Sequence, residues 1–159
     1  MKKLITLSVA AAALSLPALA QAATAAKPGN CAVWLEEAAK TVEADARFTG
    51  ETKTEVVTAF ETFGKAQRKI MMDGMDKTYA DSAAFGWDKA KVDQMIADNE
   101  NAMRAGFRTP TMEPGKLYME HILAVNNCAE YNKQDSQFGM SRDAFIATLT
   151  KAYNIVRQG

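Results

Sequence analysis

Apolar side chains recur every three or four positions along most of this chain, with polar side chains between them. That spacing places the apolar residues on one side of an α-helix, so it predicts amphipathic helices packed around a shared core. No stretch of useful length alternates apolar and polar residues as a half-buried strand would, and no hairpin dipeptide separates two apolar runs. The pattern therefore predicts an all-α protein.

Five segments carry the helical pattern, and short-range signals mark where several of them begin. Asn30, Asp88 and Ser141 are candidate N-caps, because their side chains can accept a hydrogen bond from the first backbone N–H groups of a helix. Thr52 and Glu55 have the spacing of a capping box. The predicted helices cover approximately residues 31–47, 52–73, 88–106, 114–131 and 141–156.

The segment 73–86 lacks helical periodicity, although it lies between two strongly patterned segments. It predicts a loop with one short helical turn near residues 81–84. Helices joined by such loops favour antiparallel neighbours, so the fold we expect is a four- to five-helix up-down bundle.

The first twenty residues have the three parts of a secretory signal peptide. Lys2 and Lys3 supply a positive start, an uncharged run rich in Ala and Leu follows, and small residues around Ala20 and Ala22 offer cleavage sites. The uncharged run is well short of the roughly 20 residues that a membrane-spanning helix needs. We therefore predict a signal peptide at residues 1–20, cleaved after Ala20 or Ala22, and no membrane insertion afterwards.

The remainder of the chain is expected to form one folding unit. We expect residues 21–29 to form a flexible tail and residues 30–159 to form a single helical domain of ordinary size. The signal peptide predicts export, with the periplasm as the expected compartment and the extracellular space as the alternative.

The predicted export favours a disulfide between the two cysteines, because disulfides persist in oxidising compartments. Cys31 and Cys128 are the chain's two cysteines, and they lack the C-x-x-C spacing of a redox-active pair. A structural disulfide between them would close a loop of 97 positions, worth at most about 4–5 kcal/mol by chain-entropy arguments. It would place the start of the first helix beside the end of the fourth, so these two helices are predicted to be antiparallel neighbours.

Composition excludes several classes of function. The chain has 19 Lys and Arg against 19 Asp and Glu, and this balance argues against nucleic-acid binding, which usually needs a marked positive excess. Two cysteines exclude a four-Cys zinc site. Motifs for covalent haem, metalloproteases, serine hydrolases and phosphate-binding loops are absent from the sequence. We therefore predict neither an enzyme nor a cofactor.

His121 is the single histidine, and it lies seven residues before Cys128 on nearly the same helical stripe. It is therefore expected to face the first helix near Glu37, Ala38 and Thr41. The favoured interpretation is a half-buried structural histidine that hydrogen-bonds one of those groups. The functional alternative is a metal ligand or a general base.

Methionines raise a second metal hypothesis, because thioethers in an exported protein can bind copper(I). The densest groups are Met71, Met72 and Met75 in one segment, and Met119 beside His121 in another. Methionine is also a common filler of irregular helical cores, and that interpretation is favoured.

The sequence thus predicts a small exported, non-catalytic helical binding protein. We expect it to bind a protein partner in the cell envelope or to have a role in envelope stress. One alternative is a periplasmic carrier of a soft metal such as copper(I) or of a small apolar ligand. Such a ligand could be bound in an aromatic pocket between helices, formed by Trp34, Phe60, Phe63 and Trp87. A further alternative is an enzyme without a recognisable motif.

Overall fold

The computed structural model describes residues 28–108, 112–131 and 140–159, and the predicted signal peptide and most of the predicted tail lie outside them. In these ranges the regular structure is entirely helical, as the all-α prediction requires. The helices are α1 (Pro28–Ala44), α2 (Gly50–Asp73), α3 (Met75–Ala83), α4 (Lys89–Phe107), α5 (Met119–Tyr131) and α6 (Arg142–Gln158). No helix of the described part combines the length and the apolar character needed to cross a membrane.

Helix starts agree with the sequence signals at two places. The Asp88 side chain accepts a hydrogen bond from the Lys91 N–H at 2.8 Å, and Ser141 accepts one from the Ala144 N–H at 3.1 Å. Both residues are therefore N-caps, of α4 and α6.

Two other predicted helix starts are wrong, because the helices begin earlier. The predicted N-cap Asn30 lies inside α1, which begins at Pro28, a residue type suited to the first helical turn. The predicted capping box of Thr52 and Glu55 lies inside α2. Gly50 has a φ of +55°, a conformation that glycine adopts without strain, so the chain turns into α2 two residues before Thr52.

The segment predicted as a loop contains a helix instead. α3 follows α2 after a single intervening residue, Gly74, whose N–H donates to the carbonyl oxygens of Ile70 and Met71. Only Met75 of α3 is buried, so the helix has no apolar stripe by which periodicity could reveal it. An ion pair one turn apart, between Lys77 and Asp81, lies on its exposed surface.

The hydrophobic core surrounds α1, which packs along α2 and also contacts α4 and α5, while α6 packs against α2 and α5. Gly64 allows the close approach of α2 to α1, since a Cβ there would lie 3.2 Å from the Leu35 side chain. The rings of Phe63 and Phe145 stack with centroids 4.3 Å apart, and Phe60 meets Phe145 edge-on. These aromatic contacts join α2 to α6.

A disulfide joins Cys31 and Cys128, with 5.5 Å between their Cα atoms and both side chains fully buried. It links the first turn of α1 to the last turn of α5. At the other end of α1, the Leu117 N–H just before α5 donates to the Asp45 carboxylate at 3.0 Å. The two helices are therefore antiparallel neighbours, and the disulfide-closed bundle predicted from the sequence is confirmed.

Asp45 and Arg47 bind three parts of the chain together at the end opposite the disulfide. The Arg47 guanidinium donates to the Asp45 carboxylate, to the Leu117 carbonyl oxygen and to the Val156 carbonyl oxygen near the end of α6. Burial opposes ionisation of Asp45, but hydrogen bonds from Arg47 and from the Leu117 backbone outweigh it, and the pKa of this carboxyl is lowered. The ends of α1 and α6 and the start of α5 are thereby held in register.

A cleft between α1, α4 and the start of α5 as candidate functional site

An open cleft of about 450 Å³ lies beside the second half of α1. It is bounded by α1, by the last turn of α4, by the segment 112–116 and by the first turn of α5. Clefts of this volume are typical of small-molecule sites. Apolar and polar side chains line separate parts of the cleft.

The segment 112–118 is held against the end of α1. Gly115 has a φ of +72°, and a Cβ there would lie 2.9 Å from the Ala44 Cβ, so this turn requires glycine. The Tyr118 hydroxyl accepts a hydrogen bond from the Glu113 N–H at 2.8 Å, and Lys116 pairs with Glu113 at 2.8 Å. One wall of the cleft is therefore fixed in the ligand-free protein.

His121 and Phe107 form an aromatic surface of the cleft. Their rings stack with centroids 3.8 Å apart and 19° between the planes, and Tyr118 meets the imidazole edge-on at 6.2 Å. His121 is only 7% exposed, and its buried Nδ1 has no hydrogen-bond partner among the described residues. Burying such an unpaired atom costs about 1–3 kcal/mol, and few buried polar atoms in folded proteins lack a partner.

The protonation state of His121 follows from its surroundings. Burial lowers the pKa of the imidazole, and the charge of Glu120 opposes that effect only in part. The ring is therefore neutral at neutral pH, and Nδ1 can either donate or accept one hydrogen bond, depending on the tautomer. The hydrogen bond that the sequence led us to expect from Glu37, Ala38 or Thr41 is not made by Nδ1.

Glu37 is the buried carboxylate of the cleft, and three cations surround it. Its oxygens accept hydrogen bonds from Lys40 at 2.9 Å, from Arg104 at 2.8 Å and from the Arg108 Nε at 2.8 Å. Burial opposes ionisation, but these hydrogen bonds together outweigh it, and the pKa of Glu37 is lowered. The carboxylate is therefore ionised and already satisfied by the protein.

The neighbouring Glu36 extends this cluster across α1, α2 and α4. Arg68 of α2 donates to Glu36 at 2.8 Å, Arg104 of α4 donates to it at 2.7 Å, and Arg68 also pairs with Glu100. We call the whole set the ion-pair cluster. Its three carboxylates and four cations are Glu36, Glu37, Glu100, Lys40, Arg68, Arg104 and Arg108.

Sequence reasoning considered Glu37 only as a neighbour of His121, and it missed the ion-pair cluster. A signal was present at the end of α4, where Arg104 lies in the last turn and Arg108 follows four residues later as the C-cap. Such a basic pair calls for an acidic partner, and the adjacent carboxylates of α1 supply it.

The two methionine groups considered for copper lie in different parts of the fold. Met71 packs against Gly29 at the start of α1, whereas His121 lines the cleft beside the other half of that helix. Met75 is buried, Met72 is exposed, and Met119 packs against the core. Met112, which belongs to neither predicted group, lines the cleft together with His121.

The aromatic residues that offered an alternative apolar pocket do not line the cleft. Phe60 and Phe63 are core residues, the more common role of aromatic side chains at helical spacing, and Trp34 packs against that core. Trp87 lies in the turn before α4, where the Lys91 ammonium sits 4.9 Å above its ring. The aromatic side chain that does line a cavity is Phe107, which the sequence did not single out.

A buried amide elsewhere resembles His121 in one respect. Gln67 of α2 is fully buried, and neither its Nε2 nor its Oε1 has a hydrogen-bond partner in the described structure. It does not line the cleft, nor a second cavity of about 320 Å³ between α1 and α2. It therefore offers a matched comparison for His121.

The chemistry available in the cleft favours binding. Among the described lining residues the one hydroxyl belongs to Thr41, and it already donates to the Glu37 carbonyl oxygen at 2.7 Å. Among the described residues of the cleft lining, no free hydroxyl is therefore offered to His121 for activation. Comparison of the chain with models of known families, with curated proteins and with solved structures finds no match.

Proposed function

We propose that this protein is a non-catalytic binding protein and that the cleft binds a small organic ligand. One observation carries the proposal: His121 lines the cleft, and its buried Nδ1 has no hydrogen-bond partner among the described residues. A ligand that turns the imidazole so that Nδ1 faces the cleft, and then hydrogen-bonds that atom, would recover the free energy lost by burying it. The cost in the free protein then becomes affinity in the complex.

The place of action is part of the proposal. The buried disulfide between Cys31 and Cys128 supports export, since such bonds persist in oxidising compartments. Together with the predicted signal peptide, it favours the periplasm as the compartment where the ligand is met.

A protein partner is the second candidate, and a different region favours it. Phe85 lies in the turn between α3 and α4 with 79% of its surface exposed. Phe85 is the most exposed large apolar side chain among the described residues, so it is the position at which we propose that a partner would dock. The two candidates separate cleanly, because replacing Phe85 by Ser should abolish binding of a protein partner and leave binding in the cleft unchanged.

The experiment for the first candidate uses the full exported protein in native mass spectrometry, first as isolated and then after incubation with a library of small organic compounds. We expect one of the compounds to form an adduct with the wild-type protein, and we expect the same compound to raise the melting temperature of that protein. His121→Phe keeps a flat ring beside Phe107 but removes Nδ1, so we expect the adduct to be lost.

Gln67→Leu is the matched control, since it removes an unpartnered buried polar group outside the cleft. We expect it to retain the adduct. Equal adduct on the wild type and on His121→Phe would refute the proposed site. The absence of any adduct and of any thermal shift across the library would refute small-ligand binding altogether.

A further inference from the structure

We infer that the ligand is a small organic acid, with a carboxylate bound at the mouth of the cleft by Arg108 and Lys40 and a flat apolar body against Phe107. This inference rests on the proposed function, which it deepens by naming the ligand class. It is argued from the charges of the lining residues and from the hydrogen-bonding capacity that they retain.

The cations at the cleft mouth are accessible. Arg108 and Lys40 both line the cleft, and their side chains are 64% and 58% exposed. Both also contact Glu37, the buried carboxylate behind them. A ligand entering the cleft therefore meets positive charge before it meets the carboxylate.

Both cations keep donors for a second anion. The bonds from Arg108 to Glu37 use Nε and Nη2, and a guanidinium has five N–H donors. The bond from Lys40 to Glu37 uses one of three ammonium donors. A ligand carboxylate can thus be bound without displacing Glu37 from its partners.

The overall charge also favours an anion. In the ion-pair cluster four cations face three carboxylates, so one positive charge is left uncompensated within the set. Glu113, the other carboxylate that lines the cleft, is paired with Lys116. A cationic ligand or a metal cation would have to compete with these cations for carboxylates that they already hold.

The rest of the lining suits a flat apolar body. Phe107, Met112, Pro114 and Ala44 contribute apolar surface beside His121. A ring that carries a carboxylate at one end would pair with the cations and pack against this apolar surface.

The test compares three ring compounds of similar shape and different charge by titration calorimetry at neutral pH: 4-hydroxybenzoate, 4-hydroxybenzamide and 4-(aminomethyl)phenol. We expect the acid to bind at least about tenfold more tightly than the amide, because charge-assisted hydrogen bonds are the stronger ones. The amine should bind most weakly. Added salt should weaken the binding of the acid and leave the binding of the amide unchanged.

Variants locate the effect. Arg108→Gln should remove most of the advantage of the acid over the amide, and Lys40→Gln should remove part of it. The control is Lys69→Gln, which makes the same charge change at an exposed lysine near the end of α2. It should leave the affinity ratio unchanged. Thermal melts of each variant identify any loss of fold.

The outcomes separate the two proposals. Equal binding of acid and amide, or an acid advantage that survives in both Arg108→Gln and Lys40→Gln, would overturn the ligand class and leave the proposed function standing. An adduct in native mass spectrometry without binding of any of the three probes would also overturn the ligand class and leave the proposed function standing. If neither an adduct nor probe binding is found, both proposals fail.

Discussion

Two faces of α1 differ sharply in what they contact. One face carries Leu35, Ala38 and Val42, which are fully buried in the hydrophobic core. The other carries Glu36 and Glu37, which meet arginines of α2 and α4. The same helix is therefore held by apolar burial on one face and by charge on the other.

The comparison teaches which face stabilises the fold and which one shapes the site. Burial of a large apolar side chain contributes about 1.5–3 kcal/mol, whereas exposed ion pairs contribute about 1 kcal/mol or less. The apolar face thus dominates the free energy of unfolding. The charged face sets the orientation of the last turn of α4, and with it the position of Phe107 and Arg108 in the cleft.

The largest effect is expected in the hydrophobic core, into which the apolar face of α1 packs. Phe60→Ala should lower the free energy of unfolding by about 3–5 kcal/mol, because Phe60 is fully buried and its truncation leaves a cavity. Urea denaturation followed by circular dichroism measures this. Phe85→Ala makes the same chemical change at an exposed position and should alter stability very little. Similar losses in the two variants would contradict the assignment of the core.

The next effect lies on the charged face and compares two adjacent carboxylates. Glu37→Gln should cost about 2 kcal/mol, since it leaves three cations without their buried acceptor. Glu36→Gln should cost less than about 1 kcal/mol, because the Glu36 side chain is 34% exposed and water can replace it. The same denaturation measurement applies, and a larger loss in Glu36→Gln would reverse the ranking of the two sites.

The contribution of Glu37 should depend on pH. Its pKa is lowered in the folded protein, so its stabilisation is present above the ordinary value of 4.5 and is lost as the pH falls through the folded-state pKa. The stability difference between wild type and Glu37→Gln should therefore shrink below about pH 4.5. A difference that stays constant down to strongly acidic pH would show that the ionised form is not what stabilises α1 against α4.

The smallest effect is expected at His121 and has the opposite sign at neutral pH. His121→Phe should raise the stability of the ligand-free protein by about 1 kcal/mol, because it removes the unpaired Nδ1. The wild type should also lose stability as the pH falls below 6.5, since the unfolded chain then binds a proton that the buried ring binds only at lower pH. The variant lacks that loss. Parallel pH profiles of melting temperature would contradict the burial of a neutral imidazole.

The features that the sequence predicts well are those with a local signal. The N-caps Asp88 and Ser141 act on the N–H three residues ahead, and the apolar stripes of α1 and α6 repeat within each helix. The disulfide followed from chemistry, because two cysteines allow a single intramolecular pairing and the predicted export favours its oxidation. These elements make up most of the bundle.

The cleft depends on contacts between distant parts of the chain, and for that reason the sequence did not predict it. Arg104 and Arg108 reach Glu37 across 67 and 71 positions. Phe107 at the end of α4 stacks on His121 in the first turn of α5, and Gly115 fits against Ala44 in the segment before α5. No periodicity or capping rule encodes such pairings. α3 escaped prediction for the converse reason, because it buries too little surface to require an apolar stripe.

The disulfide has a topological consequence for the cleft. The bond between Cys31 and Cys128 closes the backbone between them into a covalent ring. Chymotrypsin cleavage after the exposed Phe85 would open this ring without releasing either fragment. The nicked molecule would carry Glu37 on one fragment and His121 on the other, and the disulfide would hold the two fragments together until a reductant separates them on a denaturing gel.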